Sequence, residues 1–392
     1  MLAVEDVSVG LNKAPVVEGP KVGPFSRVVI DSRSAQQGDL FVALRGERHD
    51  GHDFLDDAIA RGAAGVVVAR PVADLPPAVA VFQVDDTLAA LQRLAAYWRA
   101  RQAVRVVAVT GSVGKTTCKE LIAAVLGQRY PILKSEANLN TEIGLPLTLL
   151  ALTAEHSWAV LEMAMYARGE IALLCDVARP DIGVVTNIEP VHLGRLGSME
   201  EIVAAKGELV EALPPDGIAV LNGDDPRAAS LARRARARVL LYGTTAGCDL
   251  RATDVTGRGR EGISFRLAYG EESAPLSMPL PGRHHVYPAL AAAAVAVSSG
   301  FTLAEAAQAL ASAQPPLRLR LLPGANGSTL LDDSYNASPA SVLAALDLLS
   351  EMKGRRLALL GDMLELGTAE TEAHRQAGEA AARACDDLLL VG

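Results

Sequence analysis

Aromatic side chains are scarce in this 392-residue chain: six Phe, seven Tyr and two Trp, 4% of the total. Half of the residues are nonetheless hydrophobic, and alanine, valine and leucine dominate them. The core must be built from small and aliphatic side chains, a composition that suits helices packed on buried parallel strands. Cysteine is also sparse. Cys118, Cys175, Cys248 and Cys385 lie far apart with no C-x-x-C pair. That spacing argues against a zinc site or a disulfide framework and favours a reducing, cytoplasmic setting. Positive charge is in deficit, with 37 Lys and Arg against 46 Asp and Glu and a net charge of −9. Non-specific nucleic-acid binding, which needs a basic face, is therefore not expected. Long apolar runs are missing too. The longest, Ala289 to Val297, is too short to span a bilayer, and "MLAVEDVSVG" lacks the basic and apolar regions of a signal peptide. No stable membrane insertion is expected.

The length exceeds one ordinary core and suggests two or three domains. Buried strands are expected at 27–31, 39–44 and 65–69 in a first domain, residues 1–100. The amphipathic helix "LAALQRLAAYWRARQ" leads out of it. A second domain, 101–313, places apolar strands at 158–163, 182–187 and 217–222 between helical patterns, the order of a doubly wound parallel sheet. Alternating strands follow over 249–280, then alanine-rich helices. A linker is expected at Pro315–Pro316, and 314–392 reads as a third α/β domain. Its 80 or so residues fall short of the ~100–150 usual for such a domain, so an incomplete domain is expected.

The chemistry starts at "VAVTGSVGKTT", Val107 to Thr117. A strand runs into a glycine loop and then a helix, the setting of a phosphate-binding loop. In the usual G-x-x-x-x-G-K-[ST] pattern the first glycine would fall at Val109; here it comes at Gly111. Lys115 and Thr116 occupy the places of the phosphate-binding lysine and the magnesium-binding hydroxyl. Read alone, the stretch could also be a tight strand-to-helix turn with an incidental lysine. Glu162 ends a buried strand, where ligands gather in such sheets. His192 follows another strand. Lys206 stands in "EEIVAAKGELVEAL", four residues after Ile202 and three before Leu209, in the apolar stripe that Leu213 continues. Burial there lowers an amine pKa, although a lysine in a stripe can also lay its stem along it and reach water.

"TGSVGKTT" resembles the shortened loop of the Mur ligase superfamily. "KSEANLNTEIGLPLTLL", "LEMAMYARGEI", "TNIEPVHLGRLGS", "LLDDSYNASP" and "LGDMLELG" resemble that family in the same order. "IDSRSAQQGDLFVALRGERHDGHDFL" is similar to its UDP-substrate domain. The likeness covers nearly the whole chain. It implies a three-domain α/β fold with a Rossmann-like C-terminal domain. It also implies an ATP-dependent ligase that joins D-alanyl-D-alanine to UDP-N-acetylmuramoyl-tripeptide through an acyl phosphate, as a monomer. By this resemblance ATP is held by Thr110, Gly111, Ser112, Val113, Gly114, Lys115, Thr116, Thr117, His285, Arg318 and Asp333. Two magnesium ions are held by Thr116, Glu162, His192 and Lys206, the lysine as a carbamate. Lys115, Glu162, His192 and Lys206 are the implied catalytic group. Ser32, Arg33, Asn138 and Asn140 are implied contacts of the UDP substrate. Asparagines in such a stretch also form turns.

The chain departs from the family pattern in "GRHHVYPALAAAA", where His285 and Pro288 replace two asparagines of an element that helps hold the nucleotide base. Ala137 replaces a usual glycine, and Thr141 a usual asparagine. Two alternatives stay open on the sequence: a sister ligase that adds the third amino acid, and a non-catalytic nucleotide-binding paralogue.

Overall fold

The computed structural model describes residues 1–16, 23–73, 75–191, 193–315 and 319–392. The chain divides into two compact units. One comprises Met1–Arg105, Leu133–Ala159 and Leu173–Arg179, and the other Val106–Ile132, Val160–Ala172 and Pro180–Gly392. Among the described residues, no helix is long and apolar enough to cross a membrane.

The first unit holds a parallel sheet of β1 (Val28–Val29), β2 (Leu40–Val42), β3 (Gly65–Val68) and β4 (Ala80–Gln83), in that order. Phe41, Val66, Val68 and Val81 pack with Leu55 and Ala58 of the Leu55–Ala60 helix. Both faces of β2 and β3 are buried, as continuous apolar runs require. The expected strands of this region are present but shorter, and β4 is an addition. The helix Thr87–Ala100 starts where the Asp86 carboxylate accepts from the Leu88 and Ala89 amides at 2.8 and 3.0 Å, a side-chain cap for otherwise unpaired donors.

The larger sheet consists of β5 (Arg105–Thr110), β6 (Ile132–Lys134), β7 (Trp158–Glu162), β8 (Ile182–Val185), β9 (Ile218–Asn222), β10 (Arg238–Gly243), β11 (Leu250–Gly257), β12 (Ile263–Tyr269) and β13 (Glu272–Met278). The sheet order is β13-β12-β11-β10-β9-β8-β5-β7-β6. The neighbours from β5 to β11 are parallel, and β11 to β13 form an antiparallel meander. Val106 to Val109 have no exposed surface, and neither do Val184, Val185, Val220 and Leu221. The helix Lys115–Leu126 packs against the alanine-rich helix Val286–Ser298. Pro288 falls in that helix's first turn, where a missing amide proton breaks no helical bond.

Residues beyond 319 form two further small sheets. The strands β14 (Arg320–Pro323) and β15 (Thr329–Asp332) pair antiparallel, and β16 (Leu357–Gly361) and β17 (Asp387–Val391) pair parallel. The helices Pro339–Ser350 and Glu370–Ala384 supply clusters around Leu346, Ala358 and Ala381 and around Met363, Leu366 and Ala377. The linker expected at Pro315–Pro316 falls partly outside the described residues.

Ala137 adopts φ +44°, in the left-handed region that costs an L-residue with a Cβ roughly 1–2 kcal/mol. The absent glycine of the sequence pattern therefore has a conformational consequence. Ala137→Gly should raise stability by about 0.5 kcal/mol, because relief of that strain exceeds the ~0.4–1 kcal/mol of added unfolded-state freedom. Urea unfolding would measure it, and a lower midpoint with unchanged slope would contradict the strain argument.

Candidate active site

The phosphate loop is two residues shorter than the usual pattern because β5 runs on through Val109 and Thr110. Val109 is a fully buried sheet residue in register with Val184, and Thr110 is in register with Val185. The Thr110 hydroxyl donates to the Met163 carbonyl at 2.9 Å. The chain turns only at Gly111, with φ +145°. A Cβ there would collide with the Thr186 hydroxyl oxygen, so position 111 accepts no side chain. Gly114, with φ +81°, provides the second turn and the start of the Lys115–Leu126 helix.

The next strand holds the loop in place. The Thr186 hydroxyl donates to the Val113 carbonyl at 2.7 Å, and the Val113 amide donates to the Asn187 side-chain oxygen at 2.8 Å. The Ser112 amide donates to the Asn187 carbonyl at 2.9 Å, and the Ser112 hydroxyl accepts from the Glu189 amide at 2.8 Å. Asn187 is in turn placed by its strand, whose neighbour β9 supplies Asn222 to donate to the Thr186 carbonyl at 2.9 Å. Sequence reasoning passed over Asn187, Asn222 and Asp225. Their only signal was a polar residue at the carboxyl end of an apolar strand.

Lys115 Nζ folds back on its own loop, donating to the Gly111 and Ser112 carbonyls at 2.9 and 3.1 Å. The Thr116 hydroxyl donates at 2.9 Å to Oε2 of Glu162, which is 1% exposed. This half-buried hydroxyl and the buried carboxylate join the loop helix to the end of β7. Both are hard oxygen donors of the kind magnesium takes. No cluster of three His, Cys, Asp or Glu suited to a metal occurs among the described residues. His192 and Arg318 lie outside the described residues.

Lys206 sits within the helix Met199–Ala212 and is 3% exposed, with Ile202 and Leu209 buried beside it. Burial holds its amine well below the ordinary lysine value, and the positive charge of Lys115 pushes in the same direction. The apolar stripe thus does what its spacing implies.

A cavity of about 770 Å³ opens over the loop, lined by Ser112 to Thr117, by Asn187 and Asp225, by His284 to Pro288 and by Asp333 to Ser341 segments. It brings together Lys115, Thr116, Thr117, His285 and Asp333 from distant parts of the sequence. Thr110, Gly111, Glu162 and Lys206 are not on its wall, though Glu162 is tied to Thr116. Ser32, Arg33, Asn138 and Asn140 belong to the first unit. There Ser32 is buried and hydrogen-bonded to Asp57. The Arg33 guanidinium forks onto Asp31 at 2.9 and 2.7 Å. Asn138 is exposed, and Asn140 is buried.

The Lys206 environment gives a signed pH dependence. In the unfolded chain the amine holds its proton up to its ordinary value of 10.5, whereas in the folded chain it releases it earlier. The unfolded state therefore binds more protons through that window, and stability rises with pH across it. Lys206→Met removes the penalty. It should stabilise the protein at pH 7 by ~1 kcal/mol or more, and the gain should shrink toward pH 10. Urea unfolding at both pH values checks this; a methionine variant that is less stable at pH 7 would overturn it.

The sequence and the fold have counterparts in known proteins. The Mur ligase family, catalytic domain model matches residues 24–99, the Mur ligase middle domain 109–296, and the Mur ligase, glutamate ligase domain 317–392. UDP-N-acetylmuramoyl-tripeptide–D-alanyl-D-alanine ligase from Synechocystis sp. is 42% identical over 370 residues, covering 94% of this chain and 79% of the relative. The enzyme of that name from Escherichia coli is 42% identical over 372 residues, covering 93% and 81%. Among solved structures, MurF from Acinetobacter baumannii superposes with a TM-score of 0.91 at 32% identity, covering 100% of this chain and 86% of that one. Thermotoga maritima MurF ligase in complex with ADP gives 0.81 at 30%, covering 93% and 87%. A loop shortened at Val109, the α/β sheet that carries it and three matched segments in order have one common explanation: the chain belongs to the Mur ligase family.

Proposed function

We propose that this chain is an ATP-dependent amide ligase that adds D-alanyl-D-alanine to UDP-N-acetylmuramoyl-tripeptide, in the cytoplasmic synthesis of peptidoglycan precursors. The observation that carries the reading is the phosphate loop pinned to β8, with the Thr116 hydroxyl on the buried Glu162 carboxylate. The names of the relatives supply the substrates, and the ADP bound to the Thermotoga maritima structure supports ATP as the nucleotide. The division into domains 1–100, 101–313 and 314–392 is supported by the three matched segments.

The reaction must bring two anions together. A carboxylate oxygen of the tripeptide attacks the γ-phosphorus, the bond to the bridging oxygen breaks, and ADP leaves. The amine nitrogen of D-alanyl-D-alanine then attacks the acyl carbon; the C–N bond forms, phosphate departs, and the nitrogen loses its proton. The N-terminus of the Lys115–Leu126 helix, on the cavity wall, would meet the phosphates with its first-turn amides. Lys115, whose Nζ now bonds loop carbonyls, is placed to turn toward them. Thr116 and Glu162 would hold one magnesium ion, and His192 with a Lys206 carbamate the second. Magnesium would supply positive charge where the two anions meet.

The carbamate forms when the neutral Lys206 amine adds to carbon dioxide, making an N–C bond and releasing a proton. Burial supplies the neutral amine. The resulting negative charge also turns the unfavourable proximity to Lys115 into an attraction. Arg33 and Ser32, with Asn138 and Asn140, are proposed to meet the UDP substrate, and Arg318 and Asp333 the nucleotide.

Two outcomes test this reading. Phosphate release should require both UDP-tripeptide and D-alanyl-D-alanine; turnover of the dipeptide-stage substrate with meso-diaminopimelate or L-lysine instead would assign the sister activity. Lys206→Ala should lower turnover by at least 100-fold, in the range seen when a charge-stabilising group is lost, with partial recovery on adding a small carboxylic acid. Lys206→Arg should be equally impaired, because guanidinium stays protonated. Near-normal turnover by the arginine variant would remove the carbamate role.

A further inference from the structure

Two segments of the cavity lining come from distant parts of the chain: Tyr166, shortly after β7, and Leu364–Leu366, shortly after β16. Leu366 is 2% exposed and packs with Met363, Ala373 and Ala377, so its segment is anchored in the region beyond residue 319. Arg195 touches both. It stands on the short helix Leu193–Leu196 that follows β8. Its guanidinium lies over the Tyr166 ring, 4.7 Å from the ring centre, and meets the Glu365 carboxylate at 3.3 Å. Arg195 itself does not line the cavity.

The backbones are shaped for this meeting. Glu365 adopts φ +63° and Gly367 φ +56°. For the glutamate that is the left-handed region, which a residue with a Cβ occupies only against strain. A Cβ on Gly367 would lie 3.3 Å from the Gly194 amide nitrogen, so the two glycines let the segments approach main chain to main chain. The turn of Tyr166 is held separately. The Tyr166 amide donates to Glu170 at 2.7 Å, and the Gly169 amide donates at 2.7 Å to Glu208, on the helix that carries Lys206. Arg195 thus joins the turn after Glu162, the helix after β8 and the region beyond 319. An ion pair whose side chains are 57% and 38% exposed adds little to stability, and neither does a cation–π contact in water. Stability does not account for a strained Glu365; alignment of the cavity wall does.

We propose that Arg195 is a positioning residue, a latch that holds the wall Leu364–Leu366 against the turn of Tyr166 and keeps the cavity assembled around a bound nucleotide. This rests on the reading of the cavity as the ATP site. The latch acts through Tyr166 and Glu365 and does not touch the nucleotide. Weak and open to water, it releases and re-forms as nucleotide enters and leaves.

Charge reversal separates a latch from a simple field effect. If Arg195 served only as positive charge for the phosphates, Arg195→Glu would weaken ADP binding and Glu365→Arg would strengthen it. The latch requires each single reversal to weaken ADP binding by roughly three- to tenfold, the size of one exposed attraction turned into repulsion. The paired reversal restores opposite charges and should recover binding to within about twofold. Arg195→Lys keeps the pair and should bind ADP like the unmodified protein. Calorimetry reads all of these, and the urea midpoint should be the same in every variant because both positions are exposed. In the unmodified protein, ADP should slow hydrogen exchange at Leu193–Leu196 and Leu364–Gly367 together. Tighter binding by Glu365→Arg, or no recovery in the paired variant, would overturn the latch. Exchange at those two segments that ADP leaves unchanged would also overturn it, and that measurement needs no variant to fold. A complete absence of ADP binding would reject the ATP-site reading, and the role of the latch with it.

Discussion

The contact between Gly111 and Thr186 is the constraint on which the site depends. It requires that β5 and β8 be neighbours, since only then does the end of one strand meet the end of the other. It requires glycine at 111, because the Thr186 hydroxyl occupies the place of a Cβ. It also fixes the length of the loop. With Thr110 still in register with Val185, the chain has no room for the glycine two residues earlier that a longer loop would use. The same hydroxyl then reaches Val113 and sets the far side of the turn. One threonine thus serves as both wall and clasp.

The other elements arrange themselves around that joint. The neighbour of β5 on its other side, β7, ends in Glu162 beside Thr116. The neighbour of β8, β9, ends in Asn222, which secures the Thr186 carbonyl. Carboxyl ends of parallel strands all face one way, so polar residues at their tips converge without any one being near another in sequence. Asp225 extends the pattern, accepting from the Ile188 amide at 2.6 Å.

Which parts of this were legible in the sequence follows from the range of each interaction. The loop was readable because strand, glycines, lysine and helix are contiguous. The burial of Lys206 was readable because helical periodicity places it between Ile202 and Leu209. Asn187 was not, since its partner Val113 is 74 residues away and only the β5–β8 adjacency unites them. Short strands such as β4 and β6 have three or four residues, too few to show a period. For Ala137 the residue type could be compared with a glycine pattern, but the positive φ is visible only in the folded chain. In the first unit, Arg33 reads as an available cation, whereas the structure shows its guanidinium already shared with Asp31.

The helix Val286–Ser298 has ten buried residues, six of them alanines, and no polar face. Small side chains let it lie close to the Lys115–Leu126 helix, and a rod packed on every side cannot roll or slide without opening voids. Its first turn carries His285 and Pro288, so this side of the cavity is as immobile as the interior behind it. The segments from Asp333 to Ser341 and from Leu364 to Leu366 complete the lining, yet their neighbouring apolar clusters draw only on residues from Ala337 onward. The wall that carries His285 and Pro288 therefore takes its shape from the packed interior behind it, a fixed gauge for whatever fills the cavity.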